Sequence, residues 1–315
     1  MSVRRGVVAL LTLLTLVACG DKAPTQAADQ AAQASAQASQ GRQAGTEAGD
    51  GAQDQGQAGL QPSGAGSAPS LQSRQQQAKA FVEQQPGTIG IVVRDRTTGQ
   101  VWKAGNTTAT TWTASTIKLA IAADLLERQR AGALTLDQTD KGNLDKALIN
   151  SDNDAATALW NRYDGPGMLE RFQQRFGMRS LAVVQGQETF WRNLRCSADD
   201  LQNLMSYVLE KLAPEDRAYL VGTLRKVASN QRWGVWAAGS ALKPGNKDGW
   251  AQKPVNGRTV WVTHTVGFAG DGERYVVAAM YEQGGSGTLA KGAHAVSDAV
   301  ALYFGAKVPA PVTLP

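Results

Sequence analysis

The stretch Ala114-Ser115-Thr116-Ile117-Lys118-Leu119 opens an apolar, alanine-rich segment and predicts a helix over residues 116–129. Ser115 and Lys118 are three positions apart, so their side chains share one face of that helix. The serine stands at the helix start, where free backbone N–H groups favour developing negative charge. A serine hydroxyl becomes a strong nucleophile when a base takes its proton, and a lysine can do this if burial or positive neighbours lower its pKa.

A second string could extend this pair. Ser151-Asp152-Asn153 follows an apolar run and precedes a predicted helix. Ser151 could pass a proton between Lys118 and a leaving nitrogen, and Asn153 offers a donor and an acceptor to a substrate amide. The same string is also a good helix N-cap, and the two interpretations are compatible.

A third string, Lys247-Asp248-Gly249, lies in an interrupted strand candidate over Leu242–Trp250. A lysine there can attract a substrate carboxylate, and a glycine lets the backbone approach a ligand closely. In isolation Lys247 could equally be a solvated turn residue. The occurrence of S-x-x-K, S-D-N and K-x-G in this order along one chain favours the catalytic interpretation.

On these motifs, residues from about 75 to 305 resemble the class A β-lactamase-like serine hydrolases, especially a shorter branch common in actinobacteria. The resemblance implies that Ser115 is the nucleophile, Lys118 its base partner and Ser151 the proton shuttle. Three stretches carry the resemblance: residues 114–119, 149–156 and 246–250.

The same resemblance implies the groups that bind the substrate. Asn153 would contact the substrate, Lys247 would bind its carboxylate, and Gly249 would allow its close approach. The backbone N–H groups of Ser115 and Trp250 would form an oxyanion hole, which is typically worth several kcal/mol of barrier.

The chain departs from that family at three points. Ser115 and Ser151 are closer in sequence than in class A enzymes, so part of the active-site wall is expected to be missing. The E-x-x-L-N string that carries the deacylating base is not found, and Glu188 is either a candidate for that base or an exposed loop carboxylate. The usual K-T-G has become K-D-G, so an ionised Asp248 would oppose an anionic substrate unless it points away or pairs with Lys247.

One histidine is a further candidate. His264 lies on a predicted strand over Arg258–Phe268, where it could contact a substrate anion or simply be part of the sheet. No cluster of Cys, His, Asp or Glu has the spacing of metal ligands, so neither a metal nor another cofactor is expected.

The predicted elements run strands, then helices, then strands. This order favours an α+β fold, in which strands from the N- and C-terminal parts build one antiparallel sheet with flanking helices. An all-helical lobe would be inserted between those strands, as in the β-lactamase/transpeptidase-like folds that the resemblance implies.

The N-terminal part is predicted to be an export signal and a tether. Residues 1–18 are typical of a signal peptide, since two arginines precede an apolar run that is too short to span a bilayer. Cys19 ends a string like a bacterial lipobox and is predicted to be lipidated, although ordinary cleavage nearby is the alternative. Residues 19–74 are rich in Gln, Ala, Gly and Ser and predict a disordered tether, which leaves 75–315 as the hydrolase domain.

The sequence therefore predicts an exported, lipid-anchored serine hydrolase on the extracytoplasmic side of the cell membrane. Its leading function is to form an acyl-enzyme with a β-lactam or related amide, as a β-lactamase does. One alternative is a D-Ala-D-Ala carboxypeptidase or penicillin-binding protein acting on cell-wall peptide, and another is a catalytically weak binding lipoprotein of the same fold. The net charge of +5 comes from scattered basic residues, so no nucleic-acid partner is expected, and a monomer is predicted.

Overall fold

The computed structural model describes residues 69–315, so the predicted signal peptide, Cys19 and most of the predicted tether lie outside the described residues. The first described helix begins at Leu71, behind Ser70, whose hydroxyl accepts a hydrogen bond from the Ser73 amide as an N-cap. The predicted boundary between residues 74 and 75 therefore falls inside this helix.

The strands form two antiparallel sheets. In residues 69–315 they are β1 (Gly87–Asp95), β2 (Val101–Gly105), β3 (Thr111–Trp112), β4 (Ala182–Val183), β5 (Leu194–Cys196), β6 (Gly245–Val255), β7 (Arg258–Ala269) and β8 (Tyr275–Gln283). The large sheet has the order β2-β1-β8-β7-β6, so it joins the N-terminal hairpin to the three C-terminal strands as the sequence predicts. The small sheet has the order β3-β5-β4.

The helices cover both faces of the large sheet. They are α1 (Leu71–Glu83), α2 (Lys118–Arg130), α3 (Gln138–Asp145), α4 (Asn153–Arg162), α5 (Gly165–Gln174), α6 (Ala198–Glu210), α7 (Pro214–Leu224) and α8 (Leu289–Phe304). Helices α1 and α8 share one hydrophobic core with the sheet, and the inserted helices α2 to α7 share another with its opposite face. Within residues 69–315 we find no helix with the length and apolar character needed to cross a membrane.

Strand β6 forms one edge of the large sheet. It starts at Gly245 and continues to Val255, whereas the sequence predicted a shorter strand that ends at Trp250. An edge strand tolerates Pro254, because the missing N–H is not needed by a neighbour on the open side. The free edge of β6 is the part of the sheet that borders the candidate site.

Candidate active site

The three motifs come together at one place, which is called the cleft below: Lys118 and Lys247 both bind Ser151, and Gly249 lies against the turn that bears Ser115. Ser115 sits in a tight 3₁₀ turn, Ala114–Ile117, which precedes α2, so the predicted α-helix begins later than the sequence indicated. The small sheet holds this turn, since Thr113 N donates a 2.9 Å hydrogen bond to Leu194 O. Ala114 has a φ of 47°, a left-handed conformation that costs energy for a residue with a side chain and is often found at active sites.

Lys118 is 1% exposed, and its amine binds the second motif. Nζ donates to Ser151 O at 2.5 Å, to Asn153 Oδ1 at 2.9 Å and, more weakly, to Ser151 Oγ at 3.4 Å. Among the described residues these are its hydrogen-bond partners, and Ser115 Oγ is not one of them. Catalytic hydrogen bonds are often loose before substrate binds and tighten in the complex.

The charge of Lys118 is disfavoured. Burial lowers the pKa of its amine well below the usual value, and the positive charges of Lys247 and Arg192 lower it further, while Asp152 opposes them. A neutral lysine amine is a base, which is the form that can accept a proton from a serine hydroxyl.

The S-D-N string is both a cap and a part of the site. Ser151 has a φ of 60°, which ends the preceding turn at Lys146–Asn150. Asp152 is the N-cap of α4 and accepts a 2.8 Å hydrogen bond from Ala155 N. The cap therefore uses the middle residue of the string and leaves its two neighbours to contact Lys118.

Lys247 approaches the same hydroxyl from β6. Its side chain is fully buried, and Nζ donates to Ser151 Oγ at 2.8 Å and to Asp248 O at 2.7 Å. A longer contact of 3.4 Å reaches Oε1 of Gln231, a buried residue that the sequence analysis did not identify. Burial lowers the pKa of Lys247 to about 7, although the charge of Asp248 acts in the opposite direction.

Ser151 Oγ thus lies between two buried lysine amines. Two ammonium groups that share one hydroxyl repel each other in a site of low dielectric, so the arrangement favours at least one neutral amine. The hydroxyl can accept a proton from one side and donate one to the other, as a proton relay requires.

Gly249 brings β6 against the nucleophile turn. A Cβ atom at this position would lie 2.8 Å from Ser115 N and 2.9 Å from Thr116 N, closer than real Cβ contacts. The Asp248 carbonyl faces Lys247, away from β7. Because alternate residues of an antiparallel strand present N–H and C=O groups at the same edge, the Trp250 N–H points to this edge too. The geometry is therefore compatible with the predicted oxyanion hole of two backbone N–H groups.

The side chain of Asp248 lies behind the strand. It is fully buried, and Oδ1 accepts a 2.6 Å hydrogen bond from Asn246 Nδ2, whereas Oδ2 has no hydrogen-bond partner within residues 69–315. Burial raises its pKa well above the usual range. The sequence left two arrangements open for Asp248, pointing away from the substrate or pairing with Lys247. In the structure the carboxyl group points away from the cleft.

His264 is part of the sheet and does not face the cleft. Nδ1 accepts a 3.1 Å hydrogen bond from Tyr281 N, so Nε2 carries the proton and donates to Trp112 O at 2.8 Å. The ring is fully buried, and burial lowers its pKa to about 4. Both nitrogens are thus occupied, so of the two interpretations that the sequence left open, contact with a substrate anion does not hold and His264 is a part of the sheet.

Glu188 does not contact the residues of the three motifs either. It is exposed, and its side chain makes no hydrogen bond to any residue in 69–315; only its backbone carbonyl accepts one, from Asn193 Nδ2 at 3.2 Å. The residue of this loop that reaches Lys118 is Trp191, whose ring centroid lies 4.9 Å from Nζ. The sequence analysis mentioned no role for Trp191, because an aromatic residue before a short strand carries no catalytic signature.

The described part of the chain also lacks any group of three or more His, Cys, Asp or Glu side chains that could hold a metal ion.

Comparisons with known proteins agree with this architecture. Residues 73–143, which include S-x-x-K, match the profile of the β-lactamase enzyme family. The chain is 32% identical over 194 residues to a protein named "Putative lipoprotein LppW" in Mycobacterium tuberculosis and Mycobacterium bovis. That match covers 61% of this chain and spans only 60% of the length of these relatives.

Solved structures match over a larger part of the chain. A β-lactamase from Chitinophaga pinensis superposes with a TM-score of 0.63 at 15% identity, over 74% of this chain and 98% of the other. The class A β-lactamase from Mycobacterium abscessus gives 0.59 at 18% identity, over 74% and 100%. The structure of PBP-A gives 0.61 at 19% identity, over 74% and 94%. The chain therefore has the fold of the class A β-lactamases.

Proposed function

We propose that this protein is a serine hydrolase in which Ser115 attacks the carbonyl of a β-lactam or related amide and forms an acyl-enzyme. The observation that carries this proposal is the Ser151 hydroxyl held between the buried amines of Lys118 and Lys247. Around it, Gly249 allows β6 to lie against the turn that bears Ser115. Two buried lysine amines at one hydroxyl are unusual in a merely structural site, because burial costs either the solvation of the charge or the free energy of removing the proton.

In the proposed reaction, neutral Lys118 takes the proton of Ser115, directly or through Ser151. The Ser115 oxygen then bonds to the substrate carbonyl carbon, and the negative charge on the carbonyl oxygen is stabilised by the N–H groups of Ser115 and Trp250. When the carbon–nitrogen bond breaks, Ser151 gives its proton to the leaving nitrogen and regains one from the amine of Lys118. The product is an ester on Ser115 and a protonated amine nitrogen.

The charges around the cleft support an anionic substrate. In this proposal Lys247, which binds Ser151, attracts the carboxylate, and Arg192 adds a second positive charge near Lys118. Asp248 is turned behind the strand, so it does not present its carboxylate to that position. β-Lactams and peptides that end in D-Ala both carry such a carboxylate, which is why the two substrate classes share this proposal.

The proposal is tested by covalent labelling with a fluorescent penicillin, followed by peptide mass analysis of the labelled protein. We expect one equivalent of acyl group on the peptide that contains Ser115. Absence of label, or label on another residue, would overturn the proposal and leave the alternative of a binding lipoprotein that keeps the fold without the chemistry.

A second candidate is a penicillin-binding protein or D-Ala-D-Ala peptidase. It is favoured by one observation: within residues 69–315 no carboxylate hydrogen-bonds to Lys118, so a base for rapid release of the acyl group is not evident. Turnover of nitrocefin distinguishes the two enzymes. A lactamase hydrolyses it continuously, whereas a slow acylator gives a single burst of about one equivalent.

The pH dependence of acylation should report Lys247. Below pH 7 this lysine is cationic and attracts a carboxylate, and it becomes neutral as the pH rises through its pKa of about 7. We therefore expect the second-order rate constant for an anionic penicillin to fall above about pH 7. Lys118 acts in the other direction, since its neutral form increases with pH. The control is the same penicillin with its carboxylate esterified. If acid and ester show the same fall, Lys247 is not the anion site.

We also propose that the protein is a lipid-anchored envelope protein, with Cys19 as the acylated residue. The lipobox-like string and the name of the Mycobacterium relatives support this. In cells fed a clickable fatty acid, the wild-type protein should incorporate the label and sediment with membranes, and Cys19→Ala should do neither. Equal lipid labelling of both proteins would exclude Cys19.

A further inference from the structure

The amine of Lys118 has an aromatic neighbour in addition to its hydrogen-bond partners. The Trp191 ring centroid lies 4.9 Å from Nζ, and Trp191 is only 2% exposed. Nζ donates its hydrogen bonds to Ser151 and Asn153. The ring therefore occupies space beside the proposed base from which water is excluded.

Trp191 is fixed to the elements that carry two of the motifs. Its indole N–H donates to Thr157 Oγ1 at 3.1 Å, and Thr157 belongs to α4, the helix that begins at Asn153. The turn Trp191–Asn193 leads into β5, which pairs with β3 directly before the nucleophile turn. Because it is attached on both sides, the ring has little freedom to leave Lys118.

The neighbour of Trp191 in sequence adds a charge and no proton acceptor. The guanidinium carbon of Arg192 lies 5.0 Å from the same ring centroid. Its positive charge lowers the pKa of Lys118. The part of the loop that borders the proposed base thus provides an indole and a guanidinium, neither of which can accept a proton from water.

On the basis of the proposed function, we propose that Trp191 shields the acyl-enzyme from water, so that Ser115 is acylated faster than it is released. Release requires a water molecule whose oxygen bonds to the acyl carbon while the bond from that carbon to Ser115 Oγ breaks. The hydroxyl of that water stays on the acid product, and its other proton ends on Ser115 Oγ by way of a base. The Trp191 ring, which packs beside Lys118, fills the space that this water would need. The indole N–H cannot hold the water either, because it already donates to Thr157.

The test separates acylation from release. Wild type and Trp191→Ala are labelled with fluorescent penicillin, excess reagent is removed, and the loss of label is followed with time. We expect Trp191→Ala to lose its label at least about tenfold faster, because the space left by the indole admits water beside Lys118, and a positioned general base typically accelerates such an attack by about 10²–10⁴. The rate of acylation should change far less. A merely structural role of Trp191 would instead lower acylation and leave the rate of release unchanged.

Two further variants control for packing and folding. Phe190→Ala removes an aromatic neighbour of Trp191, with ring centroids 5.7 Å apart, but leaves the hydrogen bond from the indole to Thr157 and the ring beside Lys118, so its label should last as long as in wild type. Thr157→Val removes only the hydrogen bond to the indole and should shorten the lifetime of the label, even if Trp191→Ala fails to fold. An unchanged lifetime in Trp191→Ala, or in Thr157→Val if the former does not fold, would overturn the shielding role while leaving acylation by Ser115 intact. If wild type takes no label, the proposed function itself fails.

Discussion

Lys118→Met should lower the rate of acylation by penicillin by about 10²–10⁴, the usual contribution of a positioned general base. Methionine keeps most of the length and the apolar stem of the lysine, so the buried site stays filled, but it cannot accept a proton from Ser115. It also leaves Ser151 Oγ with Lys247 as its remaining amine partner. The measurement is the second-order rate constant for formation of the fluorescent adduct.

The control for Lys118→Met is the same substitution at Lys211, which is exposed and follows α6. This variant should be acylated like wild type. Circular dichroism and thermal unfolding should show that Lys118→Met is folded, since removing a buried, poorly solvated amine need not destabilise the domain. An unchanged rate of acylation in a folded Lys118→Met protein would remove this lysine from the mechanism.

Gly249→Ala should lower acylation by about 10²–10³, the typical cost of losing one oxyanion-hole donor. The new methyl group would lie 2.8 Å from Ser115 N and 2.9 Å from Thr116 N, and both atoms belong to backbone, which cannot rotate away as a side chain can. Strand β6 and the nucleophile turn must therefore move apart. That shift misaligns the N–H groups that would stabilise the oxyanion.

Gly142→Ala is the matched control for this change. Gly142 lies in α3 with no atom within 4 Å of an added Cβ, and alanine in a helix is favoured over glycine by roughly 0.5–1 kcal/mol. It should be acylated normally and be slightly more stable. If Gly249→Ala is acylated as fast as Gly142→Ala, the close approach of β6 has no part in catalysis.

Much of the fold was predictable because its signals are local and periodic. The β-branched run in β1 and the Val-rich runs in β7 and β8 predict strands, and the strand–helix–strand order predicts how they share one sheet. The start of α2 was placed wrongly because a 3₁₀ turn and an α-helix have the same composition over a few residues. The extent of β6 was missed because Pro244 and two glycines weaken the strand pattern, whereas the strand begins after Pro244 and, at the edge of the sheet, continues through Pro254.

The residues that meet at the candidate site were predictable only where a motif marks them. Ser115, Lys118 and Ser151 lie in such motifs, and the structure brings the motifs together. The direction of Asp248 depends on the register of β6 with β7, which pairs it with Thr265, and no local pattern encodes that register. Trp191 reaches Lys118 through the pairing of two very short strands, which is a contact between segments far apart in the chain.

The pairing of β1 with β8 also constrains the order in which the chain can acquire its structure. Gly87 lies opposite Gln283, so the central ladder of the large sheet closes a loop that contains all the helices from α2 to α7. Contacts between such distant segments form slowly, because the entropy of closing the loop must be lost first. Strand β1 of the N-terminal hairpin can therefore pair with β8 only after nearly the whole polypeptide has been made. A chain that stops before β8 would leave one edge of β1 unpaired.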